Sequence, residues 1–292
     1  MIGTWAQRLW RHIPARCAVC HAWPARAVCD ACVQQFAQPV PRCETCALPV
    51  PGGQARCGAC QTAAPALDRC IAAVAYEYPW AGLIAQFKFG GQPGWAGPLV
   101  QLMRSAPWAE PVLEDCDLVV PMPLSAGRLR ERGYNQAHEL ARRLAPAKSD
   151  ATLLLRTRET LPQPTLGRAE RLRNVQGAFQ IDPLRRGTVR GRRVVLVDDV
   201  MTSGASLYSA ASVLREAGAL YVDKTALIDD VLDLSRIEAG KLTLNTTDVD
   251  LRELVGEAVD LMAATGRDRP VALRCVVDEA LPARMRADPV RL

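Results

Sequence analysis

Residues 194–206 read Val-Val-Leu-Val-Asp-Asp-Val-Met-Thr-Ser-Gly-Ala-Ser. Four apolar residues run without alternation into Asp198 and Asp199. A strand of this kind is expected to be buried on both faces, as in a parallel sheet. Behind the acids, Thr202, Ser203, Gly204, Ala205 and Ser206 lead into a helix expected over 206–217, with Gly218 as its stop. The first N–H groups of that helix have no partner within it, and with the helix dipole they favour an anion. Gly204 permits close backbone approach, and the hydroxyls add hydrogen bonds. A Ser/Thr-capped helix after a strand is common by itself. An apolar strand, two acids and Thr-Ser-Gly-x-Ser in succession are far less so. The stretch predicts carboxylates at the carboxyl end of a strand, with a phosphate cradle beside them.

Outward from it the pattern is α/β. Strands are expected over 70–76, 117–121, 153–155 and 193–197. Helices are expected over 80–89, with Leu83, Ile84 and Phe87 on one face, and over 135–144, with Ala137, Leu140, Ala141 and Leu144 repeating at helical spacing. Strands alternating with helices imply a parallel sheet, whose ligand site lies beyond the carboxyl ends of the strands. Two basic segments follow strand ends. Residues 121–136 carry Arg128, Arg130 and Arg132, placed for a diphosphate. Residues 157–179 carry Gln163, Arg168, Arg171, Arg173 and Asn174, and have the length of a lid.

Eight of the eleven cysteines form four Cys-x-x-Cys pairs: Cys17/Cys20, Cys29/Cys32, Cys43/Cys46 and Cys57/Cys60. Each pair places two thiolates on one side of a tight knuckle, and two knuckles complete a tetrahedral zinc site. The spacers are 8 residues from Cys20 to Cys29 and 10 from Cys46 to Cys57. The simplest assignment is two structural zinc ribbons in chain order, although a crossed pairing satisfies the same spacing. A disulfide framework needs an oxidising compartment, and four redox pairs in succession would be odd. In so small a segment the metal would supply the folding energy. Cys70, Cys116 and Cys275 read as buried packing residues.

The chain has 292 residues, 49% hydrophobic and 23% charged, enough for one large or two modest domains. No apolar run approaches the roughly 20 residues that span a bilayer. The N-terminus is too polar for a signal-peptide core, so a cytoplasmic protein without a membrane partner is expected. Net charge is +5. Residues 128–193 hold 16 Lys/Arg against 6 Asp/Glu, whereas residues 223–292 hold 10 against 14. The basic middle suits a polyphosphate or nucleic acid, or is a solvated face. The sign change marks a boundary near 222.

Taken together, these segments resemble the ComF/GntX family of phosphoribosyltransferase-like proteins. The resemblance covers about residues 1–220. It rests on the cysteine knuckles, Tyr76-Glu-Tyr with Phe87-Lys-Phe-Gly90, Pro121-Met-Pro-Leu, Arg132-Gly-Tyr-Asn-Gln136, Gln163 with Arg171-x-x-Asn174, and residues 197–206. It implies a double zinc ribbon over 1–66 and a type I phosphoribosyltransferase sheet over 67–222. It also implies phosphoribosyl diphosphate (PRPP) as ligand, with Mg²⁺ bridging ribose and diphosphate oxygens. Asp198 and Asp199 would hold the ribose hydroxyls. Thr202, Ser203, Gly204, Ala205 and Ser206 would hold the 5′-phosphate. Arg128 and Arg132 would meet the diphosphate, and Arg171 would join the two acids in the catalytic set. The family usually has Thr-Thr-Gly-Ala-Thr in the turn; Ser203 and Ser206 keep the hydroxyls here. Chemistry would be displacement at the anomeric carbon, helped by positioning and by charge stabilisation of the leaving diphosphate. The resemblance links the chain to competence and DNA uptake or to gluconate use. It names no acceptor and no oligomeric state. A non-catalytic module binding PRPP or single-stranded DNA for the competence machinery is the alternative.

From about Tyr221 the text changes. Residues 226–242 and 251–262 carry helical apolar stripes, and 271–277 read as a strand. Leu234-Ser-Arg-Ile-Glu-Ala-Gly-Lys-Leu242 resembles the junction of a sensor histidine kinase, the end of its dimerisation hairpin and the start of its ATPase domain. The segment 223–292 reads as a fused fragment. No histidine follows His138, and the Asn-bearing ATP motif and glycine-rich lid do not appear, so kinase activity is expected to be absent. The junction also predicts a phosphoribosyl sheet frayed at its edge, with a last strand started by residues 220–222 and finished by 225–228.

Overall fold

A computed structural model describes residues 15–50, 54–158, 175, 177–201, 204–229, 247–250, 252 and 284–287, and structural statements below concern these. The chain divides into two compact units, Met1–Glu238 and Ala239–Leu292.

In the first unit, two short helices, α1 (Asp30–Phe36) and α2 (Gly58–Thr62), belong to the cysteine-rich head. Then follow β1 (Arg69–Ala75), α3 (Trp80–Phe89), α4 (Ala96–Ser105), α5 (Ala109–Asp115), β2 (Leu118–Pro121), α6 (Ala126–Arg132) and α7 (Gln136–Leu144). The remaining elements are β3 (Leu154–Arg156), β4 (Phe179–Ile181), β5 (Arg193–Met201), α8 (Ala205–Glu216) and β6 (Tyr221–Asp229). The second unit contains the antiparallel pair β7 (Thr247–Asp250) and β8 (Arg284–Ala287).

Four strands form a parallel sheet in the order β1-β6-β5-β2. The unbroken apolar run of β5 has the expected physical cause. Val195 and Val197 face a cluster made with α3, α4, α5 and α7, including Ile84, Phe87, Leu99, Met103 and Leu140. Val194 and Leu196 face the opposite cluster, with Leu207, Ala210, Ala211 and Leu214 of α8. A strand covered on both sides has no solvent face and no reason to alternate.

Three sequence expectations change. β5 runs to Met201 rather than Val197, because Val200 and Met201 continue the ladder opposite Ile228 and Asp229. The strand near 154 lies outside the main sheet. It pairs antiparallel with β4, placing Leu154, Phe179 and Ile181 in the cluster beneath α8. The last strand, expected at a frayed edge, is the interior β6, hydrogen-bonded to β1 on one side and β5 on the other. The boundary at 222 therefore falls inside β6. Residues 225–228, read both as the finish of the last strand and as part of a helical stripe from 226, lie in β6, since a position between two parallel neighbours overrides a local helical stripe. The rest of the stripe at 230–242, the one at 251–262 apart from Arg252, and the strand at 271–277 lie outside the described residues.

The head is tied to this core. Trp80 Nε1 donates to the Phe36 carbonyl at 2.9 Å, and the rings of Phe36 and Tyr78 meet edge-on at 5.5 Å. The Cys70 amide donates to the Glu44 carbonyl at 2.7 Å.

Candidate functional site

Asp198 and Asp199 lie near the carboxyl end of β5, in the interior of the sheet. Their backbone amides turn them. The Asp199 N–H donates to Asp198 Oδ1 at 2.9 Å, and the Val200 N–H donates to Asp199 Oδ1 at 2.7 Å. Alternation along the strand sends them to opposite faces. Asp199 turns toward α3, where its Oδ1 is 3.2 Å from Lys88 Nζ. Asp198 shares the face of Leu196 and of Lys224, which is in register with Leu196 on β6.

Burial, with the charge of Asp199 next, pushes the Asp198 carboxyl up to about 7, against the pull of Lys224, Lys88 and the Asp199 amide. Lys224 is fully buried, and its Nζ makes no hydrogen bond among the described residues. No pattern in the sequence points to it, because it sits in text read as foreign to the sheet.

Gly204 adopts the left-handed conformation, φ +71°, and caps α8. A Cβ there would lie 2.6 Å from the Tyr208 ring, so glycine is needed for both conformation and space. Ala205, the first helical residue, is buried, and Ser206 is half-buried. Thr202 and Ser203 lie outside the described residues, as do Arg171 and most of the basic stretch at 157–179.

Sequence reading missed how three segments join. Tyr134 Oη donates to the Phe87 carbonyl, and Gln136 Nε2 donates to the Lys88 carbonyl at 3.5 Å. Arg132 Nη1 donates to Gln136 Oε1 at 3.1 Å, while its guanidinium lies over the Phe89 ring, 5.2 Å from the centroid. Asn135 caps α7 by accepting from the His138 N–H at 3.2 Å and donates to the Met122 carbonyl at 3.0 Å. The motifs 87–90, 132–136 and 198–199 are thus brought to one end of the sheet. Arg128 is half-buried one turn earlier on α6, its N–H bonded to Ser125 Oγ. Lys88, Tyr134 and Gln136 stand inside motifs quoted from the sequence, but neither spacing nor composition indicates that Lys88 reaches an acid more than a hundred residues away.

The cysteines form two groups, Cys17, Cys20, Cys29, Cys32 and Cys43, Cys46, Cys57, Cys60, with sulfurs within 4.8 Å of one another in each. The grouping follows chain order rather than the crossed alternative. Sulfur pairs lie at 3.9 Å for Cys17–Cys32, 3.6 Å for Cys20–Cys29 and 3.6 Å for Cys46–Cys57. That is too long for a disulfide and close to the roughly 3.8 Å edge of a tetrahedron with metal–sulfur bonds of about 2.3 Å. Burial opposes the Cys17 thiolate, but the amides of Cys20, Cys29 and Val19 bring it down to about 6. Burial pushes Cys32 and Cys46 up. The donor set and spacing fit a closed four-thiolate metal centre, twice. Cys70 and Cys116 are buried packing residues, as expected; Cys275 lies outside the described residues. No helix among the described residues is long and apolar enough to cross a membrane.

A parallel sheet presenting adjacent acids beside a glycine-capped helix, behind two four-cysteine clusters that could each hold a metal ion, defines a phosphoribosyltransferase-like protein with a cysteine-rich head. Residues 130–251 match the family described as the phosphoribosyl transferase domain. The chain is 30% identical over 224 residues to the DNA utilization protein YhgH of Salmonella typhimurium, covering 72% of this chain and 95% of that one. It is 29% identical over 198 residues to Competence protein F of Haemophilus influenzae, covering 65% and 85%. The chain belongs to the ComF family of phosphoribosyltransferase-like proteins. A stretch of 67 residues is 39% identical to the signal transduction histidine-protein kinase BarA of Escherichia coli, 23% of this chain and 7% of that one.

Proposed function

We propose that the chain binds PRPP with Mg²⁺ and transfers its phosphoribosyl group to an acceptor in the handling of incoming DNA. The observation that carries the reading is Asp198 and Asp199 at the carboxyl end of β5, immediately before the Gly204 turn that opens α8. Asp198 and Asp199 would accept from the ribose hydroxyls. Thr202, Ser203, Gly204, Ala205 and Ser206 would hold the 5′-phosphate, where helix N–H groups favour an anion. Arg128 and Arg132 would meet the diphosphate, and Arg171 would close over it. Mg²⁺ would neutralise the diphosphate as it leaves. Zinc would occupy the two cysteine clusters and hold the head (1–66) folded. Free thiols in such number suit the reducing cytoplasm.

A non-catalytic role is favoured by a separate observation. Relatives are named for DNA utilization and competence, and residues 128–193 carry a strong basic excess. Calorimetry with PRPP and Mg²⁺ on the wild type and Asp198→Asn tests the first reading; absence of binding to the wild type sinks it. Binding without diphosphate release across a nucleobase panel, together with steeply salt-dependent binding of single-stranded DNA, establishes the second.

A further inference from the structure

We infer that the amino-terminal end of the sheet is a self-association surface, on which a second copy of this chain docks about a two-fold axis. All the strands of the main parallel sheet begin on this face, opposite the end that carries Asp198 and Asp199. Exposed apolar side chains gather there. Leu220 and Tyr221, where β6 begins, are 54% and 43% exposed, and Trp108, just before α5, is 65% exposed. Single exposed apolar residues are ordinary. Three at one end of a sheet, beside a cleft of about 270 Å³ lined by Arg69, Arg193 and Tyr221, form a patch.

Trp108 is held in the left-handed region, at φ +68° and ψ −2°. Bulky residues rarely adopt that conformation, and asparagine or glycine takes it at less cost. Within the chain the indole meets the Arg69 guanidinium, 5.4 Å from the ring centroid. A strained backbone that presents so large a ring to solvent is explained by what the ring meets outside its own chain. Tyr221 carries Arg193 in the same way, at 5.3 Å. Trp, Tyr and Arg are the residue types that dominate the energetics of protein interfaces.

Charge decides the occupant. Arg215 pairs with Asp68, Arg193 faces Asp115 at 3.6 Å, and Arg192 faces Asp117 at 3.4 Å. Arg69 and Asp223 stand opposite each other in the register of β1 and β6. Each of these arginines is matched by an aspartate, so the face is neutral with both signs interspersed. A basic or an acidic partner would meet as many like charges as opposite ones. A second copy brings the same mixture, and a two-fold axis makes every contact reciprocal. An arginine that meets an aspartate of the other copy therefore has its own aspartate met in return. Pairing through this end leaves both carboxyl-end sites open.

The test is sedimentation equilibrium of the full zinc-loaded chain from about 1 to 100 μM, comparing the wild type with Trp108→Asn and Tyr221→Ser. The wild type forms a reversible dimer, and each substitution raises its dissociation constant at least about tenfold (~1.4 kcal/mol). Urea unfolding at concentrations where the wild type is monomeric shows Trp108→Asn to be no less stable, because asparagine relieves the left-handed strain; lost docking is thereby separated from lost folding. A wild type that stays monomeric throughout overturns the inference and leaves the face to a foreign protein. A dimer that both substitutions leave intact overturns it as well, since the interface then lies elsewhere.

Discussion

Asp198→Asn should make the folded chain more stable at pH 8 and leave it nearly unchanged near pH 4. The carboxyl rises from 3.8 to about 7 on folding, chiefly through burial and then through the charge of Asp199. A raised acid means that the folded state holds its proton more tightly than the unfolded state does. Its contribution to stability is therefore fully present below pH 4 and is lost as pH rises through 7. About three pKa units at ~1.36 kcal/mol each put the loss at up to about 4 kcal/mol. Asparagine has the shape of the protonated acid, and its Oδ1 can still accept from the Asp199 amide. It carries no charge to desolvate, so it escapes the loss. The assay is urea unfolding of the zinc-loaded wild type and variant from pH 4.5 to 8, following tryptophan fluorescence, to which the buried Trp80 contributes. The variant-minus-wild-type difference isolates this group from Asp223, whose carboxyl burial pushes up to about 6. A difference that is flat with pH, or an Asp198→Asn protein less stable at pH 8, would refute the reasoning. If the acid binds ribose hydroxyls, the same variant gains stability and loses PRPP, as expected where a site holds charge the fold disfavours.

Gly204→Ala forces a side chain into a left-handed conformation and into the Tyr208 ring; it should cost about 1–3 kcal/mol, and adding Tyr208→Ala should restore part of the loss in thermal melts. Lys224→Met replaces a buried, unbonded ammonium with an apolar chain of similar length. Its urea midpoint should rise by an amount equivalent to about 1–3 kcal/mol, while the Asp198 titration, followed by carboxyl NMR, moves further upward as a favourable charge is removed. Cys46→Ser should lower bound metal from two zinc ions to one per chain by elemental analysis, since each cluster uses all four sulfurs. Chelation of the wild type should unfold the head first, seen as protease cleavage before residue 66.

Much of this architecture was legible in residue order alone, for local reasons. A β5 buried on both faces announces itself by lacking alternation. Helix α3 was readable to the residue, because Leu83, Ile84 and Phe87 mark one face and Gly90 follows. The cysteine pairs name their chemistry through residue type and spacing. Helices α4 and α5 went unread, although Leu99, Val100, Leu102 and Met103 all face the core. The strand at 154 was legible as a strand but not as a member of a separate pair, since its partner β4 is only three residues long.

The sequence by itself determined the elements whose signals are periodic or covalent in range: the parallel core strand, the glycine turn that opens α8, and eight cysteines set in knuckles. Tertiary structure alone decided which distant groups share a site, because that depends on strand order and register. It placed Lys88 against Asp199 and Lys224 on the face of Asp198. It grouped the cysteines in chain order, and it made β6 an interior strand where a foreign text suggested a frayed edge. The physical reason is the same in each case. Pairing between β5 and β6 satisfies backbone groups along the whole strand, so the ladder continues through any residue that can lie in it, and side-chain partners follow from that register.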